Sequence, residues 1–520
     1  MASGKLLQAL LALTFWCIPP ASASPHDAIA RRAAPTVSTK NGSISGIHLG
    51  SYAQEGFFGI PYATNPPPRF GRATSHNASL DGFQATAYSE FCPGFGGDDV
   101  ALYRLGYKAG ESCLTLNVVR PSGYAEGAGL PVGVWIYGGG FSNGGSPDHR
   151  YNTTWVVDRS VQMGRPILTV TLNYRVSFYG FPNGQEVVDA RAQNLGLYDQ
   201  QLALQWIQEN IAAFGGDPSK VTIWGQSAGS QSVAYHILGQ GGSTGASLFR
   251  GGIMESGAAS WNPMYTPGQA QAAFDAIVGN TSCANASRSS VLGCLSSIPF
   301  AELNASAALS TATWQPNVDG DILQDYPTKL LAAGKVAPVT IMHGCNTDDS
   351  SQSAPKGTNV TGDIAGHLFA SWPNITSAVV DKLLELYPND PAVGCPYETG
   401  DGVLVSGLQD KRTNSIYTDL QQFAPRRLLS QTMAKAGNEV YAWRYNQVTQ
   451  NVTIDIGKVH FSDVAYVFSN PLPTQNPLGD RPGDAELATL MTSMWVSFIN
   501  DLTPNNHQKY INSIGQYLSH

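Results

Sequence analysis

A chain of 520 residues with 13% charged side chains, 10% aromatics and 55 glycines has ample material for a core and for many turns. Its net charge of −8 leaves no basic footprint, which argues against a nucleic-acid partner. No Pro/Ser linker, repeat or charge run divides it, so one large domain over residues 33–520 is expected.

The first residues read as a targeting segment. Lys5 supplies a positive end, residues 6–18 are nearly all apolar, and Ala21-Ser22-Ala23 is a small-x-small cleavage site, giving a signal peptide over 1–23. Arg31-Arg32 is either a dibasic site closing a pro-segment at 24–32 or a pair of solvated arginines. The apolar run is short for a bilayer, and the C-terminal residues lack the hydrophobic tail of a lipid anchor, so no stable membrane anchor is expected. Secretion has separate support. Sequons for N-glycosylation stand at Asn41, Asn77, Asn152, Asn280, Asn285, Asn304, Asn359, Asn374 and Asn451. Loss of the signal segment also removes Cys17 and leaves an even set of cysteines, which in an oxidising compartment suggests disulfides. The neighbours in sequence are Cys92 with Cys113, Cys283 with Cys294, and Cys345 with Cys395. The absence of any C-x-x-C pair argues against a thiolate metal site.

In chain order, residues 36–52 alternate apolar and polar side chains around Asn41-Gly42 and predict a hairpin. Gly59-Ile60-Pro61-Tyr62-Ala63 and Pro66-Pro67-Pro68-Arg69-Phe70 read as a rigid surface segment. Residues 114–119 and 130–137 predict strands, the second apolar throughout and therefore buried. It ends in Tyr137-Gly138-Gly139-Gly140-Phe141, a bare backbone whose N–H groups can point into a cavity and meet developing negative charge. Residues 166–173 predict a further strand, and 194–214 a helix stopped by Gly215-Gly216-Asp217-Pro218.

The stretch Val221-Thr222-Ile223-Trp224-Gly225-Gln226-Ser227-Ala228-Gly229 then carries the pattern G-x-S-x-G between a strand and a helix. A turn that sharp needs glycine on both sides of the serine and lifts the Ser227 hydroxyl clear of the sheet. Gly241-Gly242-Ser243-Thr244-Gly245 matches the same letters but follows no strand, so Ser243 is read as a loop serine. Short strands are expected at 251–254 and 339–343, helices at 326–333 and 377–386, and a helical insertion over the site at 265–309. Strand, crossover, strand, elbow and helix together make an α/β fold with a mostly parallel sheet.

A serine hydroxyl needs a base within reach and a third group to orient that base. From the residues alone, His460 and His343 compete for the base. Asp348 and Asp349, on the loop after the 339–343 strand, compete for the acid; one of the two is expected to face solvent.

With these motifs in hand, the chain resembles the type-B carboxylesterase/lipase family, the cholinesterase-like α/β-hydrolases, over residues 36–514. Cys113-Leu114-Thr115-Leu116-Asn117-Val118, Asn173-Tyr174-Arg175-Val176, Asn194-Leu195-Gly196-Leu197-Tyr198-Asp199-Gln200 and Phe214-Gly215-Gly216-Asp217-Pro218 carry the resemblance along with the glycine run and the elbow. Its motifs are nearest to those of secreted fungal carboxylesterases and lipases. The resemblance implies Ser227 as nucleophile, His460 as base and Asp349 as acid. It further implies the N–H groups of Gly139, Gly140 and Ala228 as an oxyanion hole, and disulfides Cys92–Cys113 and Cys283–Cys294. Cys345–Cys395 would be an additional bridge. The chain departs from the family where Asp349 replaces the more usual Glu, Ser350 a glycine, Ser112 an Asp and Gln226 a Glu. The Cys92–Cys113 segment, which in relatives forms a lipase lid or carries a choline-binding tryptophan, is short and lacks tryptophan here. The implied activity is hydrolysis of small-molecule esters without metal or cofactor. Alternatives are acyl transfer to an alcohol in a secreted tailoring pathway, a true lipase, and a silent binding protein of the kind some relatives have become.

Overall fold

The β-branched and aromatic run ahead of Ser227 forms a strand inside a nine-stranded sheet. The computed structural model describes residues 33–96, 105–261, 263–450, 456–472, 478–479 and 481–510. The signal segment 1–23, the 24–32 segment, Asn451 and the final ten residues lie outside the described residues.

The strands are β1 (Thr36–Thr39), β2 (Gly42–Ser45), β3 (Ile47–Leu49), β4 (Gln54–Pro61), β5 (Phe83–Gln84), β6 (Thr115–Pro121), β7 (Leu130–Ile136), β8 (Leu168–Leu172), β9 (Gly216–Gln226), β10 (Gly251–Glu255), β11 (Thr340–Asn346) and β12 (Val440–Tyr445). The main sheet runs β12-β11-β10-β9-β7-β8-β6-β4-β3. From β12 to β8 every neighbouring pair is parallel; β8–β6, β6–β4 and β4–β3 are antiparallel. The central parallel strands are covered on both faces by helices and are largely buried. Accordingly β8 and β10 are buried at every residue, and β7 at all but Pro131.

Five helices matter for the site: α1 (Leu195–Asn210), α2 (Ala228–Leu238), α3 (Asp410–Thr418), α4 (Ala424–Lys435) and α5 (Asp484–Asp501). A π-helical turn, Asp419–Phe423, joins α3 to α4. The predicted 194–214 helix is α1 extended by a 3₁₀ turn, Ile211–Phe214, before Gly215 takes φ 87° and stops it.

The hairpin forms as β1 and β2, with Thr39 opposite Gly42, so its tip is Lys40-Asn41, one residue earlier than expected. Gly59 to Ala63 is not a surface segment. It continues β4 into the core, where Ile60, Tyr62 and Ala63 are buried, and Gly59 at φ 71° bulges the strand with no room for a side chain beside Ala87 O. The 265–309 insertion is helical as expected (Pro267–Gly279, Val291–Ser297 and Phe300–Ala308). Its Phe274 packs on Phe178, however, and the helical cover near Ser227 comes from the α3–α4 segment.

The disulfides Cys92–Cys113 and Cys283–Cys294 are formed. Cys345 and Cys395 are not joined, which corrects the expected third bridge. Cys345 is fixed in β11 opposite Arg444 of β12, whereas Cys395 Sγ donates to Asp348 Oδ1 at 3.4 Å. Cys345 keeps its register in β11 and Cys395 its bond to Asp348, so the two thiols remain unjoined. Burial raises both thiols above their ordinary pKa, with Asp349 adding to the effect at Cys345 and Asp348 at Cys395. Among the described sequons, Asn77, Asn280, Asn285, Asn359 and Asn374 are exposed, while Asn41, Asn152 and Asn304 are half-buried.

Candidate active site

At the end of β9 the chain reverses within one residue. Ser227 has φ 58° and ψ −123°, a left-handed conformation costly for a residue with a side chain, and α2 begins at the next residue. The glycines on either side are steric necessities. A Cβ on Gly225 would meet Gly229 C at 2.5 Å, and one on Gly229 would meet Ile136 O at 2.0 Å. The strained turn is held by Ser227 N–H donating to Glu255 O at 2.9 Å and by Gln231 N–H donating to Ser227 O at 2.9 Å. Ser243, the other match, starts a short helix, with its hydroxyl donating to Gln240 O.

The glycine run after β7 is fixed from behind. Tyr137 Oη donates to Tyr174 O and Tyr174 Oη donates to Tyr137 O, both at 2.9 Å, with the rings stacked at 4.5 Å. Gly138 lies so close to Ser227 that a Cβ there would come within 2.9 Å of the serine Cβ. Gly139 and Gly140 adopt φ 99° and 64°, and a Cβ at Gly140 would meet only open space. Both glycines line the same cavity as Ser227, and Ala228 is the first residue of α2.

That cavity holds about 700 Å³ and is also lined by Arg150, Tyr151, Gln226, Trp261, Asp349, residues 350, 352 and 353, Gln422 and residues 459–462. His460 Nδ1 lies 2.6 Å from Asp349 Oδ1, and His460 N–H donates to Asp349 O at 3.0 Å. Asp349 is fully buried, and its Oδ2 accepts from Ser256 Oγ at 2.6 Å and Asn346 N–H at 2.8 Å. With three donors the carboxyl is held as an acceptor, so Nδ1 carries the imidazole proton and Nε2 keeps its lone pair. Nε2 lies 3.2 Å from the Gln226 side-chain amide nitrogen, next to the serine. The edge of Trp261 meets the imidazole at a ring separation of 5.4 Å.

Of the two competing histidines, His343 is a buried structural residue. Its Nε2 donates to Gly257 O at 3.0 Å, and burial lowers its pKa to about 3, so it stays neutral. Asp348 does not face solvent as expected; it is fully buried on the other side of its loop. It accepts from Tyr397 N–H and Lys458 N–H, each at 2.9 Å, and a Cβ on Gly457 would strike its Oδ2 at 2.4 Å. Adjacent carboxylates therefore do different jobs: one faces the imidazole and the other clasps the backbone that delivers it.

Several contributors carry no signal in the sequence. Ser256 and Asn346 support Asp349, and Asn346 Nδ2 also reaches Asp463 Oδ1 at 3.1 Å. Burial, then the charge of Asp349, pushes Asp463 up to about 6. Behind it, burial and the charge of Asp463 raise Glu255 well above the carboxylate range, while Glu255 Oε1 accepts from Trp495 Nε1 at 2.7 Å. Glu255, adjacent to Ser256, is the one such residue a sequence reader could have flagged, as an acid in an otherwise apolar strand. No cluster with the makings of a metal site is found among the described residues.

A parallel sheet with a strained serine elbow, a glycine cradle and a carboxylate-bound histidine at one cavity defines the α/β-hydrolase class. Within it the chain belongs to the carboxylesterase family, whose pattern matches residues 33–518. It is 34% identical to lipase 4 of Diutina rugosa, over 92% of this chain and 89% of that protein. It is also 34% identical to secreted lipase 1 of Botryotinia fuckeliana, over 92% of this chain and 86% of that protein. The crystal structure of Aspergillus niger EstA superposes with a TM-score of 0.79 at 26% identity, covering 91% of this chain and 90% of that one. The protein is thus a carboxylic-ester hydrolase by family and fold.

Proposed function

We propose a secreted serine esterase that cleaves soluble, uncharged, short- to medium-chain esters through an acyl-enzyme. The observation that carries this reading is the His460–Asp349 pair at 2.6 Å, with Nε2 turned to the corner where Gln226 and Ser227 meet. In this scheme His460 exchanges the Gln226 amide for the Ser227 hydroxyl and takes its proton as the serine attacks the ester carbonyl. Catalytic hydrogen bonds commonly tighten only with substrate present. Asp349 stabilises the resulting imidazolium, and the N–H groups of Gly139, Gly140 and Ala228 receive the oxyanion. His460 then returns its proton to the leaving alcohol, and water releases the acid by the same route.

Preference for uncharged esters rests on the walls. Arg150, the cation at the cavity, is held by Asp148 at 2.5 Å, and the buried Asp349 is matched to His460. The names of the similar fungal proteins favour a second reading, a lipase acting on emulsified triacylglycerol, and they are also the support for secretion. A fluorophosphonate probe should label Ser227, and a panel of soluble esters should be hydrolysed with no jump in rate at the solubility limit; acetylcholine should be a poor substrate. Absence of labelling would remove the enzyme reading. A sharp rise on emulsions would favour the lipase.

A further inference from the structure

The wall of the Ser227 cavity contains a polar group that the proposed reaction does not use. Gln422 sits on the π-helical turn between α3 and α4, is 2% exposed, and lines the same cavity as Ser227 and His460. Neither end of its amide, Oε1 or Nε2, has a hydrogen-bond partner among the described residues. Ser350, also in this wall, is 1% exposed, and its Oγ is likewise without a partner. The two elements are tied together, since Ser350 N–H donates to Thr418 Oγ1 at 3.2 Å, four residues before Gln422.

Buried side-chain amides are nearly always paired, because an unmade hydrogen bond forfeits hydration without return. A π-turn shifts a side chain from where a regular helix would aim it, and such turns recur at functional sites. Gln422 forms part of the cavity wall, and its amide, with one acceptor and two donors, is covered by neighbouring atoms, so a bound group would meet it after a rotation of the side chain.

We propose that Gln422 and Ser350 form a recognition site for a neutral hydrogen-bonding group of the substrate, a hydroxyl or a primary amide, held in the cavity while the ester lies at Ser227. This rests on the esterase reading and narrows its substrate class to esters that carry a second polar group. A carboxylate or ammonium group is a poor match, because an amide and a hydroxyl supply no countercharge.

The test uses matched ester pairs differing by one hydroxyl: p-nitrophenyl butyrate against 3-hydroxybutyrate, and butyl acetate against 4-hydroxybutyl acetate. The full-length secreted enzyme should favour the hydroxylated member of at least one pair. Gln422→Met should reduce that preference on the order of tenfold to a hundredfold, mainly through KM, as expected when a site loses its partner for a substrate hydroxyl. Ser350→Ala should erode the same preference, and supplies the result if Gln422→Met does not fold. Equal losses on both members of every pair, or no preference in the parent enzyme, would overturn the proposal. Failure of the esterase reading itself looks different: neither member would be hydrolysed and fluorophosphonate would not label the protein.

Discussion

The two halves of the site are built by different physics. On the Ser227 side, at the ends of β7 and β9, position is set by backbone crowding: Gly138, Gly225 and Gly229 have no room for a Cβ, and Ser227 is forced into a strained conformation. On the His460–Asp349 side, after β11, position is set by hydrogen bonds to the carboxylates: Ser256 Oγ and the nearby Asn346 N–H on Asp349, Asn346 Nδ2 on Asp463, and the distant Lys458 N–H on Asp348. Packing leaves no tolerance and is local. A polar network tolerates substitution in degrees, and its parts come from far along the chain.

The contrast can be broken most severely at the reacting atoms. Ser227→Ala or His460→Ala should abolish ester hydrolysis, by about six orders of magnitude in kcat, with the protein still folded by circular dichroism. Ser243→Ala should not change the rate; turnover in purified Ser227→Ala protein would refute the assignment. Next, Asp349→Asn should cost about 10⁴ in kcat, since the neutral amide favours the wrong imidazole tautomer. Asp348→Asn should cost the rate much less. Both lose about 1–3 kcal/mol of stability as a buried acceptor is weakened. If Asp348→Asn were the less active of the two, the roles of the neighbours would be exchanged.

Gly229→Ala tests the packed side, where an added methyl would meet the backbone of β7 at 2.0 Å. It should destabilise by about 3 kcal/mol, read as an earlier urea midpoint. Asp463→Asn tests the polar side through pH. The folded protein holds a proton on Asp463 that the unfolded chain releases near pH 4. The contribution of Asp463 to stability should therefore fall as pH rises from that range to about 6 and be lost above it. The variant should flatten this slope in melts between pH 4 and 8; an unchanged slope would locate the proton elsewhere. The smallest expected effect is on thiol chemistry. Processed protein should show two titratable thiols, Cys345 and Cys395, after denaturation and none before; finding none after denaturation would restore the third bridge.

The same division explains what could be read from the sequence. The elbow and glycine run were legible because the glycines carry the steric constraint in their own identity, and β7, β8 and β10 because short β-branched and apolar stretches there are bounded by turn residues. His460 and Asp349 were selected by family resemblance rather than by their own surroundings. Asp348 was misread because its partner Lys458 is 110 residues away, and β4 because its Gly59 and Pro61 look like loop residues. The edge strand β12, Val-Tyr-Ala-Trp-Arg-Tyr, favours a strand by its residues but went unread, and nothing in Asp-Leu-Gln-Gln-Phe announced a π-turn.

The backbone bond from His460 N–H to Asp349 O has a consequence for the interchangeability of parts. Aspartate is one methylene shorter than the glutamate usual in the family, so the imidazole has to come to the acid. The backbone bond, with the Asp348 clasp on Lys458 N–H, holds the histidine segment where this shorter side chain reaches it. Acid and loop path are thus a matched set. Asp349→Glu, although it installs the commoner residue, would push the imidazole toward the cavity and away from its present line to Gln226. Transplanting this acid into a relative would leave it short of its partner unless the neighbouring clasp were moved with it.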